Sequence, residues 1–326
     1  MATYGIEEEV FVTEPERPTL KSLYYLARLL WKNPRRNYFY TASNFARGQD
    51  IKQGLMSGIE IATDAHSDVE SLMADFVSRR RELIEVVDGL IVPLGHLINY
   101  SAATNTCALQ LHIGDVEDMP RVYRNLAHFL PILVLLTINA PYSGGRYFGQ
   151  SFRMASSYAI GPLKEDWRAR FQDIIFARRL RTIEVRVFDP VWDLNRVRIL
   201  VEAIDRIVNF DGDLGLDIEQ YNRWRGRIVR EGYLDELDDL YIELSSIYNV
   251  PKDLLLRTPA NEVRDFYEKN GLVKTYSALD NAYRSGVFES RPIPEIEVDS
   301  IKAALGFAGY YIPKLPYILW KFWKES

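Results

Sequence analysis

Four segments of the chain alternate apolar and polar residues with the period of two expected of half-buried strands. In Gly5-Ile-Glu-Glu-Glu-Val-Phe11, Glu7 and Glu9 fall on one face and Ile6 and Val10 on the other. From Gly58 to Thr63, Ile59 and Ile61 oppose Glu60; from Ala108 to Ile113, Leu109, Leu111 and Ile113 oppose Gln110 and His112. The fourth segment, Thr182 to Phe188, sets Ile183, Val185 and Val187 against Glu184 and Arg186. With their flanks these predict strands over Thr3 to Val12, Gly58 to Thr63, Cys107 to Gly114 and Arg181 to Phe188.

Helical spacing fills much of the rest. Apolar residues recur at three- and four-residue steps from Leu20 to Trp31, and from Val69 to Val87 behind a Ser67-x-x-Glu70 capping box. Met119 to Ile138 reads as a helix that Pro131 is expected to kink, and Leu194 to Val208 has one apolar face. A glycine-rich loop, Tyr142-Ser-Gly-Gly-Arg-Tyr-Phe-Gly149, lies between them. From about Ile218 the chain is mostly helical, with turns at Pro251, Pro259 and Gly271. No internal repeat and no long Gly/Ser/Pro linker divides it, so a single domain over 1–326, helical from about 210 onward, is expected.

If one sheet holds the four strands and helices cover its apolar face, the opposite face gathers Glu7, Glu9, Glu60, Gln110, His112, Glu184 and Arg186. Clustered carboxylates repel one another and require a compensating cation; hard divalent ions, Mg or Mn, suit their oxygens and tolerate one imidazole. Glu7, Glu9, Glu60, His112 and Glu184 are therefore the candidate metal ligands. Such a site serves phosphoryl transfer, and Arg186, on the same face as Glu184, is placed to stabilise the transferring group. Arg146 and Arg153 flank the glycine-rich loop and are candidates to hold a phosphate or a substrate carboxylate. A single strand glutamate more often just faces solvent, so the argument rests on four strands dividing alike. Glu8 falls on the apolar side, where only a partner in the helical layer accounts for it. His66, His96 and His128 join no constellation.

Composition narrows the reading further. At 326 residues, 47% hydrophobic and 26% charged, the chain can bury a sizeable core, and its net charge of −5 argues against a generally basic nucleic-acid surface. The local patch of Arg178, Arg179 and Arg181 reads as a solvated or phosphate-facing loop. The single Cys107 cannot form an internal disulfide, and no charged-then-apolar signal opens the chain, so the cytoplasm is the expected compartment. The longest apolar run, Phe129 to Ile138, is about half of what a bilayer-spanning helix needs. The aromatic stretch from Tyr310 to Trp323 carries a Lys-Phe-Trp-Lys pattern of the kind that touches membrane surfaces, but it is short and weakly basic. Packing on the body or on a second subunit, as in a homo-oligomer, is the expectation, without stable membrane insertion. Phosphate-loop, dinucleotide, Cys-x-x-Cys and nucleophile-elbow motifs are absent, so periodicity supports a metal site and stops there.

The ordered set Gly5-Ile-Glu-Glu-Glu-Val-Phe11, Ile59-Glu-Ile-Ala-Thr63, Leu109-Gln-Leu-His-Ile-Gly114, Asn139-Ala-Pro-Tyr142 with Gly145-Arg146, and Thr182-Ile-Glu-Val-Arg-Val-Phe-Asp189 resembles the glutamate-cysteine ligase type 2 family over roughly residues 4–208. The resemblance implies an α+β fold related to the catalytic part of glutamine synthetase: a curved, mostly antiparallel sheet with helices on one face. It also implies a reaction in which ATP phosphorylates a carboxylate, typically the glutamate side chain, and an amine displaces phosphate. The group's metal-binding glutamates match Glu7, Glu9, Glu60 and Glu184, its metal-site histidine matches His112, and its phosphate-binding arginine matches Arg186. The implied partners are small-molecule carboxylate and amine substrates. Two departures matter: Gln110 stands where many members have the first histidine of His-x-His, and Gln53 where many have an acid. Glutamine lacks the charge of Asp or Glu, so cysteine is not implied as the acceptor. A catalytically silent nucleotide- or amino-acid-binding relative, and a metal-dependent phosphohydrolase, are the competing readings.

Overall fold

The computed structural model describes residues 1–12, 21–34, 41–45, 56–104, 106–178, 180–293, 300–316 and 319–320. Gln53 and Arg179 lie outside them. The architecture grows from β1 (Thr3–Val12), whose burial alternates: Thr3, Gly5, Glu7 and Glu9 are half-buried, and Tyr4, Ile6, Glu8 and Val10 are buried. On one side β1 pairs antiparallel with β3 (Met56–Ala62), which carries β2 (Thr41–Phe45) at the edge. Along its other side run β5 (Leu109–Gly114) and, past Phe11, the short β4 (Ile91–Val92). A hairpin, β6 (Tyr142–Ser143) and β7 (Arg146–Tyr147), forms a separate two-stranded sheet. The main sheet ends with β9 (Thr182–Val185) beside β5 and β8 (Ile174–Ala177) outside it, giving the order β2-β3-β1-β5-β9-β8 in an open, antiparallel α+β arrangement.

The apolar face of this sheet is covered by helices. Beside α1 (Lys21–Lys32) lies α2 (Val69–Val86), followed by α3 (Met119–Leu133), the short α4 (Phe152–Ser156) and α5 (Leu194–Val208). Ile6, Ile61, Leu111 and Val185 from the sheet share one core with Phe76 of α2, Leu126 of α3 and Leu200 of α5. Behind these pack α6 (Ile218–Glu231), α7 (Asp238–Ile247), α8 (Lys252–Leu256), α9 (Pro259–Asn270) and α10 (Leu272–Ser285). Finally α11 (Ser300–Tyr311) lies on α1, so closely that a Cβ on Gly306 would come within 3.1 Å of the Tyr24 Cα.

Several boundaries differ from expectation for local reasons. Asp68, not Ser67, caps α2, its carboxylate accepting the Ser71 N–H at 2.8 Å, so the expected Ser67–Glu70 box gives way to a charged cap one residue later. The helix at Met119 ends at Leu133 and tightens into a 3-10 turn over Val134–Leu136; Pro131, lacking an N–H, ends the regular ladder early. Pro259 opens α9 at its first turn, and Gly271 closes it at a φ of 77°. No helix among the described residues is long and apolar enough to cross a membrane.

Candidate active site

Strand register decides which polar side chains meet. Glu9 stands directly opposite Glu60, Glu7 opposite Gln110, Gly5 opposite His112, and His112 opposite Glu184. Residues directly opposite in an antiparallel pair share a face. All five expected metal ligands therefore lie on one face, opposite the apolar residues that the helices cover. Gly5 opens space in front of His112, whose Cβ lies 3.9 Å from where a Cβ of residue 5 would sit.

A cleft of about 920 Å³ lies over the amino-terminal end of β1, with Gly5, Glu7 and His112 in its floor and Asp115, Arg181 and Thr182 around it. Asp115 and Arg181 both hold positive φ, 53° and 56°. Such conformations are disfavoured for residues with side chains and gather at ligand-binding edges. Arg181, from the patch expected to be a solvated or phosphate-facing loop, belongs to the turn between β8 and β9, closed by its N–H to the Ala177 carbonyl, and lines the rim of the cleft.

The charges on the face are poorly balanced. Burial raises the Glu60 carboxyl well above its usual range; Glu7, Glu9 and Glu184 push it further, and Lys314, in the 3-10 turn after α11, opposes them. Burial brings the Lys314 ammonium down to about 8 while Glu60 pulls the other way. His112 is raised: burial disfavours its imidazolium, but Glu7, 3.3 Å from Nε2, and Glu184 outweigh burial and Arg186. Arg186 sits 2.8 Å from a Glu184 oxygen and donates to the Ala159 carbonyl. One Glu9 oxygen accepts the Ala108 N–H at 2.9 Å.

These side chains suit a hard divalent cation in chemistry: carboxylate oxygens, one imidazole, and a buried carboxyl driven toward its neutral form by its acidic neighbours. As they stand, no three His, Cys, Asp or Glu among the described residues are gathered closely enough to hold a metal ion. Glu7 is turned to His112, Glu9 to a backbone amide and Glu184 to Arg186.

Arg153 corrects the sequence expectation. It is buried, donating to the carbonyls of Arg186, Val187 and Phe188 and to Asp189, and so is committed inside the protein rather than open to a phosphate. Asp189 also accepts from the Asn139 N–H and the Ser151 hydroxyl, and Asn139 in turn ties Gly95, Pro93 and Pro190 together. The Asn139 and Asp189 motifs thus lock the loops behind the face. A Cβ on Gly95 would lie 2.3 Å from the Asp189 carboxylate. Arg146 stands exposed on β7, past a turn whose Gly144 and Gly145 both have positive φ, and does not line the cleft.

Glu8 finds its partner. Arg80 of α2 donates to both of its oxygens, at 3.0 and 2.5 Å, and the Tyr283 hydroxyl of α10 donates at 2.8 Å. Arg80 also donates to the Val191 and Trp192 carbonyls, so one buried guanidinium joins β1, α2 and the loop before α5. Sequence reasoning passed over Arg80 because it reads as one of three consecutive arginines on a helix.

No protein-family model and no curated protein matches the chain. Solved structures do. Glutamate-cysteine ligase from Francisella tularensis, determined in complex with AMP, superimposes with a TM-score of 0.59 at 13% identity, over 94% of this chain and 92% of that one. A bifunctional glutathione synthetase from Pasteurella multocida matches with a TM-score of 0.57 at 15% identity over 87% of this chain, which spans only 51% of that protein's length. The chain has the fold of a glutamate-cysteine ligase. Within that fold, Glu7, Glu9, Glu60, His112 and Glu184 share one face of the sheet, with Arg186 held against Glu184.

Proposed function

We propose that this chain is an ATP-dependent carboxylate-amine ligase that activates a carboxylate, the side chain of glutamate or a close analogue, and joins it to an amine. The observation that carries the reading is the convergence on one face of four glutamates from three strands with His112 from a fourth, and Arg186 against Glu184, within the fold of a glutamate-cysteine ligase. Glu7, Glu9, Glu60, His112 and Glu184 would hold Mg or Mn, which when bound offsets charge on the phosphate oxygens. Arg186, restrained by Glu184 and the Ala159 carbonyl, supports the equatorial oxygens of the phosphoryl group in transfer. Arg181 at the cleft rim supplies a second cation for an anionic substrate.

In the reaction the carboxylate oxygen attacks the γ-phosphorus and ADP leaves. The amine nitrogen then bonds to the acyl carbon, phosphate departs, and the nitrogen gives up a proton. The buried Gln110 opposite Glu7 presents an amide where a second imidazole or carboxylate would add ligand capacity, consistent with an acceptor other than cysteine. ADP release by the purified protein, with Mg and ATP, tests the reading against glutamate alone and glutamate with a panel of amines. Release that requires both an acid and an amine is expected. Release without any amine would make the protein a phosphohydrolase, and nucleotide binding without turnover a silent relative.

A further inference from the structure

The turn that follows α11 is inside out. Ile312, Pro313, Leu315 and Pro316 are exposed, while Lys314 in their midst is half-buried. A lysine ordinarily lays its stem along the surface and keeps its ammonium in water. Lys314 instead gives up part of its hydration, and the charge it meets is that of Glu60.

The body of the protein holds the turn where it is. α11 lies against α1 at Gly306, where an added Cβ would come within 3.1 Å of the Tyr24 Cα and 3.2 Å of the Ala27 Cβ, and α1 packs in turn on β2 and β3. Register fixes the other partner: Glu60 of β3 stands opposite Glu9 on one side and Ala42 of β2 on the other. Each remaining glutamate of the face is turned to a donor within the protein, Glu7 to His112, Glu9 to the Ala108 N–H and Glu184 to Arg186. Lys314 does the same for Glu60, but it comes from the far end of the chain rather than from the sheet. A divalent ion on this face would be drawn to the same carboxyl, and two cations beside one carboxylate repel each other.

We propose that Lys314 is the internal counter-ion of Glu60, a positioning residue that holds the metal site closed and leaves Glu60 when a divalent ion binds; this rests on the assignment of Glu60 as a metal ligand. By linkage, the turn weakens metal binding and metal loosens the turn. The test is calorimetric titration of Mn into the full chain without nucleotide. Lys314→Met is expected to bind Mn about fivefold more tightly than wild type, the scale of a partly exposed ion pair, and Lys314→Arg to stay within about twofold of wild type. Gly306→Leu, which pushes α11 off α1, should tighten Mn binding to a similar extent, and adding Lys314→Met to it should change little further. Lost packing alone would lower the melting temperature and leave Mn affinity unchanged. In wild type, Mn should speed hydrogen exchange in the turn after α11 while slowing it in β1 and β3. Equal affinity in wild type and Lys314→Met, or weaker binding in the variant, would overturn the proposal and leave the metal assignment standing. Absence of Mn binding from both would overturn the two together.

Discussion

Replacing Arg80 with methionine removes the guanidinium that holds both Glu8 oxygens and two loop carbonyls. Glu8 is fully buried and Arg80 nearly so, so water cannot substitute. Glu8 then stays charged beside the Tyr283 hydroxyl, or takes up a proton. Protonating a glutamate of ordinary acidity at pH 7 costs about 3.7 kcal/mol, at about 1.36 kcal/mol per pH unit above about 4.3. That agrees with the roughly 3–5 kcal/mol lost when one partner of a buried pair is removed. Each orphaned carbonyl adds about 1 kcal/mol, partly offset by the packing of methionine in the vacated space. The expected loss is about 4–5 kcal/mol at pH 7, a large share of the stability of a typical domain. Its charge component shrinks as pH falls, because protonation at pH 5 costs only about 1 kcal/mol. In the variant the folded state holds a proton that the unfolded state has released, so its stability falls as pH rises from about 5 to 7, and the deficit grows by about 2.7 kcal/mol. Urea denaturation followed by tryptophan fluorescence at both pH values measures this, with Glu8→Gln/Arg80→Met expected to recover the charge component. A deficit below about 1 kcal/mol at pH 7, or one equal at both pH values, would refute the view that Arg80 neutralises Glu8.

The remaining predictions concern the open face. Glu184→Gln is expected to reduce metal-dependent ADP formation by at least about a hundredfold, the scale of losing one charged group from an electrostatic site, with circular dichroism unchanged; full activity removes Glu184 from the machinery. Glu60→Gln should stabilise the metal-free protein above pH 5, because it deletes a carboxyl whose ionisation its neighbours oppose, while abolishing any rise in melting temperature caused by Mg or Mn. A melting temperature below wild type in the absence of metal would contradict the repulsion. Metal binding should weaken as pH falls, with a midpoint above the usual histidine value of about 6.5, since His112 and Glu60 both hold protons more tightly than usual and must release them. Calorimetry in buffers of different ionisation enthalpy reads that proton release; none at pH 7 argues against His112 as a ligand.

Much of this was legible from alternation. The four strands that carry the face announce themselves because each has one face buried under helices and one left polar, and register follows from the same pattern. What escaped was of another kind. β2, with the polar sequence Thr-Ala-Ser-Asn-Phe, is an edge strand held by β3, and its signal is the partner rather than its own period. β8, Ile-Ile-Phe-Ala, is a short apolar run that periodicity cannot assign. Arg153 was misread because a buried arginine anchoring carbonyls and an arginine facing a phosphate look alike in sequence; only its neighbours, Asp189 and three consecutive carbonyls, separate them. Lys314 reaches Glu60 from the far end of the chain, a juxtaposition that no local pattern encodes.

Three consecutive glutamates on β1 show how one strand serves both fold and site. Alternation sends Glu7 and Glu9 to the open face and Glu8 beneath the sheet, where Arg80 and Tyr283 meet it. A slip of one residue in the pairing of β1 would turn every side chain over, burying Glu7 and Glu9 while one guanidinium waits at a single fixed position. Two carboxylates would then lie in the core with one partner between them, and breaking or omitting such a pairing is worth about 3–5 kcal/mol. The buried pair therefore excludes the wrong register more strongly than it stabilises the right one, for a well-packed apolar pair at positions 8 and 80 would hold the sheet without naming which glutamates face out. The repulsion at Glu60 follows from the same arrangement: the register that Glu8 fixes forces Glu9 against Glu60, and the charge that results is what a cation bound on this face would relieve.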